Sequence, residues 1–322
     1  MNKKFITGIQ SSGTPHIANI YSIILPTISY IKKNKNNLFF IFIADLHSIT
    51  NYKNNNTLKN NIYKNAATWL SFLKFTKNVY FYRQSDIKEI NELFWYLNCF
   101  YPFNRLKLCH GFKSNKNNLN TGIFNYPILM ASDILLYDIN KVIIGKDQKQ
   151  HIEITRKIAK IINNKLKENI FIIPKYKIKY NYIIPGIDGY KMSKSKNNII
   201  NIFDDKDNLK KQIMNIKTTN KTINYNEIKN TILLKLYKII TNKEEFTYLK
   251  EKIKNNKIGF YNIKNKLYKY ILYFYAKERK KYYYYINNKN IIKNILYNGY
   301  KHVNKIAKKK IFLIKEKLGL NI

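Results

Sequence analysis

The chain has 322 residues, of which 45% are hydrophobic, and a formal charge of +40 at pH 7. This length allows two domains with buried cores, and the charge favours a polyanionic partner such as nucleic acid. Two cysteines, Cys99 and Cys109, exclude a disulfide framework and a zinc site, and no apolar run approaches the roughly 18–20 residues of a membrane span, so we expect a cytoplasmic protein.

The N-terminal part alternates short apolar strands with helical patterns. Leu38–Ala44 (LFFIFIA) is a continuous apolar run, typical of a strand buried on both faces of a parallel sheet. The predicted order is strand Lys4–Ile9, turn Gln10–Pro15, helix His16–Ile31, strand Leu38–Ala44, helix Leu58–Leu73 and strand Val79–Tyr82. This βαβ alternation predicts an α/β fold with a doubly wound, Rossmann-like parallel sheet.

An inserted helical segment around 87–137 precedes a strand at Lys141–Ile144 and a helix at Gln148–Ile162. After Ser195 no further strand pattern occurs, so we predict an α/β domain over 1–205 and an all-helical domain over 206–322, with its last helix packing back on the first domain. Residues 201–322 carry 29 Lys and Arg against 9 Asp and Glu, which favours nucleic-acid binding there. Asn, Ile and Tyr are also abundant, so compositional drift can account for part of this charge.

The segment Gly8–Asn19 (GIQSSGTPHIAN) places a glycine-containing turn between a strand and a helix. The helix start, with its backbone N–H groups and dipole, favours phosphate binding at this point. The spacing excludes the Gly-x-Gly-x-x-Gly pattern and the Walker P-loop. His16 and Asn19 lie three residues apart, on one helical face, where both can donate to an anion.

Two motifs together resemble the signatures of class I aminoacyl-tRNA synthetases: His16-Ile-x-Asn19, and Lys191–Ser195 (KMSKS). The resemblance implies that the second loop closes over ATP and that its lysines meet the charge developing on the leaving pyrophosphate. It also implies Mg²⁺ held through the phosphates, with no metal site on the protein itself. The implied catalytic residues are His16, Asn19, Lys113, Lys191 and Lys194. The implied ATP-binding residues are Gln10, Ser11, Ser12, Gly13, His16, Ala18, Asn19, Gly145, Lys146, Asp147, Lys191, Met192, Ser193, Lys194 and Ser195.

The stretches Asn125–Tyr137 and Val142–Arg156 closely resemble the bacterial tryptophanyl-tRNA synthetases, and the resemblance extends over essentially the whole chain. The residues themselves suit an indole. Asp133 is a carboxylate among apolar residues, where an indole N–H would be a matching donor, and Met130 lies on the same helical face. Val142 and Ile144 alternate on a strand and form a flat apolar wall.

The resemblance implies a complete set of partners as well as a pocket. We expect L-tryptophan, ATP and tRNA(Trp) as substrates, the anticodon-binding surface in the helical domain, and a homodimer. The apolar segment Glu92–Phe103 is either the interface of that dimer or an ordinary buried helix. The implied tryptophan-binding residues are Ile6, Gln10, His47, Tyr126, Met130, Asp133, Val142, Ile144 and Gln148.

This sequence departs from the family pattern where ATP is expected to bind. Ala18 replaces the signature glycine, Ser11 a usual proline, Ile6 an aromatic residue, and Lys196 a commonly acidic one. Two alternatives therefore stay open. A tyrosyl-tRNA synthetase would share the fold and both motifs, and a synthetase-like RNA-binding protein would have lost catalysis.

Overall fold

A sheet of five parallel strands forms the centre of the part of the chain that the structure describes. The computed structural model describes residues 2–52, 54–109, 120–178, 183–194, 196–218, 228–255 and 258–321. The strands lie in the order β3-β2-β1-β4-β5. Their bounds are β1 Lys4–Gln10, β2 Leu38–Ala44, β3 Val79–Arg83, β4 Lys141–Ile143 and β5 Lys175–Lys177. The predicted doubly wound, Rossmann-like sheet is confirmed.

Helices surround the sheet and make up the C-terminal part of the described chain. The N-terminal helices are α1 Ile17–Asn19, α2 Leu25–Lys33, α3 Asp45–Ser48, α4 Asn55–Phe72, α5 Glu89–Phe100, α6 Phe103–Leu106, α7 Thr121–Leu135 and α8 Lys149–Lys165. The C-terminal helices are α9 Lys206–Met214, α10 Ile232–Ile240, α11 Lys243–Lys254, α12 Phe260–Phe274, α13 Ala276–Asn287 and α14 Lys289–Lys317. No helix within the described ranges has the length and apolarity needed to cross a bilayer.

Strands β1 to β4 contribute to two hydrophobic cores because successive side chains point to opposite faces of a sheet. In β2, Phe39 and Ile41 belong to the core on one face, and Phe40 and Phe42 to the core on the other. This two-sided burial explains why β2 is apolar at every position.

The C-terminal helices share the first of these cores with the sheet. The Tyr21 hydroxyl donates to the Ile240 carbonyl at 2.8 Å, and Arg279 donates to the carbonyls of Ile202 and Asp204. These bonds join the N-terminal part of the chain to α10 and α13. The helical part therefore does not have a core separate from that of the sheet.

The last helix, α14, packs along the edge strand β3. A methyl group at Gly299 would lie 1.9 Å from the Phe81 carbonyl oxygen, so only glycine permits this close crossing. Further along α14, Val303 and Ala307 are fully buried in the second core, and the Lys310 ammonium donates to Asp138 at 2.6 Å.

Three local features differ from the sequence predictions. The strand β5 was not predicted, since Lys175–Lys177 is only three residues long and has no apolar run. Helix α7 begins at Thr121, not near Pro127, because the Asn120 side chain caps it and Pro127 lies within the helix. A π-helical turn at Ile20–Ile24 joins α1 to α2.

Candidate active site

A cavity of about 820 Å³ opens at the carboxyl ends of β1 and β4. The connection after β1 crosses one face of the sheet and the connection after β4 crosses the other, which leaves a crevice where ligands bind in such sheets. The predicted site residues that line it are Ile6, Gln10, Ser11, Ser12, His16, Ala18, Asn19, His47, Tyr126, Met130, Asp133, Val142, Ile144, Gly145, Lys146, Asp147, Gln148, Lys191, Met192, Ser193 and Lys194. The structure thus brings both predicted ligand sites into one cavity.

Three further predicted residues are Gly13, Lys113 and Ser195. Lys113 and Ser195 lie outside the described residues. Gly13 lies beneath the loop Lys191–Lys194, the lysine loop. A methyl group added at Gly13 would be 2.6 Å from Cδ of Lys194. The absence of a side chain at Gly13 allows Lys194 to lie across the turn after β1.

Asp133 is the centre of a buried hydrogen-bond network at the apolar end of the cavity. The residue is 1% exposed, and its Oδ2 lies 2.9 Å from Nε2 of His47. Since a carboxylate only accepts, His47 carries its proton on Nε2. Nε2 of Gln84 lies 2.9 Å from each Asp133 oxygen, and Oε1 of Gln84 accepts from the Leu46 N–H at 3.1 Å. The Asp133 side chain is therefore held in place before any ligand binds.

The network leaves Asp133 able to accept one more bond. Its two oxygens have about four acceptor positions, of which His47 and Gln84 occupy three. Burial raises the pKa of Asp133, and the bonds from His47 and Gln84 oppose that rise. A ligand N–H donor that reached this carboxylate would complete its hydrogen bonding.

Flat and apolar groups surround this acceptor. Ile6, Val142 and Ile144 are each no more than 5% exposed, and Met130 borders the same space. The Tyr126 ring lies 4.3 Å from the His47 ring, centroid to centroid. An apolar pocket with one buried acceptor suits a planar aromatic ring that carries one N–H group.

His16 and Asn19 form the start of the helix after β1. The His16 N–H donates to Oδ1 of Asn19 at 3.1 Å, so the Asn19 side chain caps the helix start. Burial, together with the charges of Lys194 and Lys191, lowers the pKa of His16 to about 3. His16 is therefore neutral at neutral pH, and its buried Nδ1 has no hydrogen-bond partner in the described part of the chain.

The lysine loop closes the polar end of the cavity. Nζ of Lys191 lies 3.1 Å from Oδ2 of Asp147, and both side chains are about half exposed. Burial would raise the pKa of Asp147, but Lys191 and the Gln148 amide lower it. Burial lowers the pKa of Lys194 to about 7. Two ammonium groups and one carboxylate thus stand where the motifs predict phosphates.

The sequence analysis missed two residues that organise the cavity. Gln84 fixes Asp133, and it follows the last residue of β3, so the rule that functional residues follow strand ends could have found it. Ser48 donates to the Ala44 carbonyl at 2.9 Å and accepts from the Ser11 N–H at 2.9 Å. The Ser11 hydroxyl is 3.0 Å from the Ser48 hydroxyl, so the Ser11 side chain is also hydrogen-bonded to Ser48.

Metal ligands are scarce in this cavity. No group of three His, Cys, Asp or Glu side chains able to share a metal ion occurs within the described ranges. Asp147, the carboxylate at the polar end, is already paired with Lys191.

Comparison with known proteins gives consistent matches over the whole chain. A model of the family tRNA synthetases class I (W and Y) matches residues 2–257. The chain is 35% identical over 322 residues to the tryptophan–tRNA ligase of Fusobacterium nucleatum subsp. nucleatum, and the match covers 99% of this chain and 98% of that protein.

Solved structures agree with these sequence matches. The crystal structure of tryptophanyl-tRNA synthetase from Campylobacter jejuni, complexed with ADP and tryptophan, is similar with a TM-score of 0.89 at 34% identity. That match covers 98% of this chain and 100% of the other. The enzyme from Mycoplasma pneumoniae gives a TM-score of 0.83 at 27% identity and covers 99% of this chain and 98% of that one.

Proposed function

The chain belongs to the class I tRNA synthetases for tryptophan and tyrosine. We propose that its cavity activates tryptophan with ATP and then transfers the tryptophan to tRNA(Trp). The activity is that of a tryptophan–tRNA ligase. The observation that carries the assignment of the pocket is Asp133, a buried carboxylate with one acceptor position left, inside an apolar slot.

In the first step the tryptophan carboxylate attacks the α-phosphorus of ATP. A carboxylate–phosphorus bond forms, the α–β phosphoanhydride bond breaks, and pyrophosphate leaves with its electron pair. Negative charge grows on the leaving group, so cations that meet it lower the barrier. We assign that role to Lys191 and Lys194, whose ammonium groups lie at the polar end of the cavity.

The two ends of the cavity bind different substrates. Asp133 accepts the indole N–H, and Tyr126 and Gln148 hold the α-amino group. Neutral His16 and the start of α1 bind the ATP phosphates, with Ala18 and Gly145 beside the nucleotide. In the second step the 3′ end of tRNA attacks the aminoacyl carbonyl, and AMP leaves.

The assignment is tested by ATP–pyrophosphate exchange with each of the twenty amino acids. We expect exchange with tryptophan and far less with tyrosine or phenylalanine, because phenylalanine brings no donor to Asp133, and Met130 with the flat apolar wall favours an indole over a phenol. Exchange strongest with tyrosine would instead support the tyrosyl alternative. A protein that binds RNA but exchanges no amino acid would support the catalytically impaired alternative.

We propose that Mg²⁺ enters the cavity bound to the ATP phosphates. Hard cations prefer oxygen ligands, and Mg²⁺ in nucleotide sites is bound by few carboxylates and by the phosphates themselves. Asp147, whose Oδ2 is paired with Lys191, is the carboxylate nearest the lysines and can provide few such ligands. Exchange should then depend on Mg²⁺, whereas tryptophan binding without ATP should not.

We propose that the helical part binds the anticodon region of tRNA. Two ammonium groups lie close to the ring of Tyr248 on α11, that of Lys252 at 4.7 Å and that of Lys266 at 4.4 Å from the ring centroid. Aromatic rings beside cations suit unstacked bases next to phosphates. Lys252→Glu with Lys266→Glu should weaken tRNA binding and reduce its salt dependence, unlike the charge-matched pair Lys32→Glu with Lys33→Glu on α2. If the unmodified protein and both variants bind tRNA equally, the positive charge of the helical part is compositional drift.

We propose that the protein forms a homodimer through the segment Glu92–Phe103. Trp95 is 66% exposed and Phe103 59% exposed, so two large aromatic side chains on neighbouring helices are available for contact with a second copy. Trp95→Glu should halve the mass measured by sedimentation equilibrium, whereas Tyr273→Glu on α12 should leave it unchanged. The cytoplasmic location expected from the sequence stays a prediction.

A further inference from the structure

The lysine loop is held by one buried asparagine, Asn198, which no motif singles out. Asn198 is 2% exposed, although it lies in a stretch rich in Lys and Asn. Its Oδ1 accepts from the Ser193 N–H at 2.7 Å, and its Nδ2 donates to the Lys191 carbonyl at 3.1 Å. One side chain therefore bonds the backbone on both sides of Met192.

A second residue fixes the orientation of that amide. Nδ2 of Asn198 also donates to Oδ1 of Asp188 at 2.8 Å, and the same oxygen accepts from the Tyr190 N–H at 3.0 Å. Because Asp188 is an acceptor, it places the amide nitrogen of Asn198 on its own side and leaves Oδ1 for Ser193. Exchange of oxygen and nitrogen in this amide would lose all three bonds.

The surrounding backbone is shaped to admit Asn198. A methyl group at Gly186 would lie 2.5 Å from the Asn198 amide carbon and 2.6 Å from the Asn198 carbonyl oxygen. That carbonyl accepts from the Ile187 N–H at 3.0 Å. Pro185 and Lys191 form an antiparallel bridge that ties the two arms of the loop together.

These bonds determine where the two lysines point. Met192, which lies between Lys191 and Ser193, is 3% exposed. The backbone on both sides of it is therefore anchored by the buried Met192 side chain and by the Asn198 amide. From this anchored backbone, Lys191 reaches Asp147 and Lys194 reaches the turn at Gly13. We propose that Asn198, oriented by Asp188, is a positioning residue that sets the two lysines at the ATP phosphates. This inference rests on the proposed role of Lys191 and Lys194.

The chain offers a matched control in Asn201, which lies three residues further on. Asn201 is 3% exposed, accepts from the Phe203 N–H at 3.0 Å, and donates to Asp204 at 2.6 Å. It thus resembles Asn198 in burial and bond types, but it bonds the approach to α9 and not the lysine loop. Asn201→Ala tests what the loss of such a side chain does to stability alone.

The first experiment compares single-turnover formation of tryptophanyl-adenylate, at a temperature where each variant is folded. We expect Asn198→Ala to slow this step about 10- to 100-fold, because small displacements of catalytic groups have effects of that size. Tryptophan affinity should stay within about twofold, since Asp133 is unaffected. Asn201→Ala should change the rate by less than about threefold. Equal rates for the two variants would overturn the proposal.

A double-mutant cycle shows whether Asn198 acts through the lysines. In Lys194→Ala protein, adding Asn198→Ala should slow the step much less than in the unmodified protein, because one of the positioned charges is gone. An undiminished effect would assign Asn198 a purely structural role. If Lys194→Ala alone leaves the rate unchanged, the proposed role of the lysine fails first, which is a separate result.

The part assigned to Asp188 has its own test. Asn198→Asp removes the donor and sets two carboxylates side by side, so it should slow the step at least as much as Asn198→Ala. Adding Asp188→Asn restores one donor and one acceptor to the pair, and we expect it to recover part of the lost rate. No recovery in the double variant would overturn the role of Asp188.

Discussion

The two ends of the cavity are built in opposite ways. At the apolar end, Asp133 is 1% exposed and accepts three hydrogen bonds from His47 and Gln84. At the polar end, Lys191 and Asp147 form one ion pair with side chains that are 55% and 49% exposed. The apolar end is fixed before a ligand binds, whereas the polar end has exposed charges that can change partners.

The energetics of the two ends differ accordingly. An exposed ion pair contributes about 0–1 kcal/mol, so Lys191 can exchange Asp147 for a phosphate at little cost. Removing one partner of a buried charged group costs about 3–5 kcal/mol, so the Asp133 network resists rearrangement. We infer that the apolar end provides selectivity and the polar end provides rate.

The largest expected effect separates these two contributions directly. Lys194→Ala should lower the rate of tryptophan activation by about 10²–10³, the usual loss for one group that stabilises charge in a transition state. Tryptophan affinity should be unchanged, because the apolar end does not contain Lys194. Single-turnover adenylate formation and tryptophan titration measure the two quantities. If Lys194→Ala lowered the rate and the tryptophan affinity equally, the polar end would not act on rate alone.

The complementary change at the apolar end should affect selectivity. Asp133→Asn removes the charge, and its new NH₂ group faces the Gln84 donor in either orientation of the amide. We expect the ratio of kcat/KM for tryptophan to that for tyrosine and phenylalanine to fall about 10- to 100-fold. The KM for ATP serves as the control and should change little. An unchanged ratio would show that Asp133 does not read the indole.

The sequence predicted the fold well where burial leaves a clear pattern. β2 is buried on both faces, so its apolar run could only be a parallel strand. β5 escaped prediction because two of its three residues are exposed lysines, and pairing with β4 alone defines it. The start of α7 was predicted near Pro127 because proline favours the first turn of a helix. In the structure Pro127 lies inside the helix, which begins at Thr121.

The site was predictable as a set of residues but not as a network. Residues at strand ends and in motifs could be assigned to one cavity because the topology of a parallel sheet brings them together. Gln84 lies 49 positions from Asp133, and the bond between them follows from packing that no local pattern contains. Asn198 lies among similar residues in the sequence, and only its bonds to the backbone of Lys191 and Ser193 distinguish it.

The pH dependence of ATP use should reflect the polar end alone. The pKa of Lys194 is lowered to about 7, so its positive charge is lost as pH rises through that value. We expect kcat/KM for ATP, which reports the free enzyme, to fall about tenfold per pH unit above pH 7. Lys194→Arg should remove this fall, because arginine stays charged. The same fall in the Lys194→Arg protein would assign it to another group.

The smallest expected effect concerns Ala18, which lines the nucleotide end where the family pattern has glycine. Ala18→Gly removes a methyl group from the space beside the ATP, so the KM for ATP should fall about two- to fivefold, with kcat at saturating ATP unchanged. The same exchange in α4, Ala67→Gly, is the control, because Ala67 is fully buried away from the cavity and carries the same helix penalty of about 1 kcal/mol. Steady-state exchange at varied ATP measures both proteins. If the two variants change the KM for ATP equally, or if Ala18→Gly raises it, the methyl group does not crowd the nucleotide, and the polar end already accommodates this departure from the family.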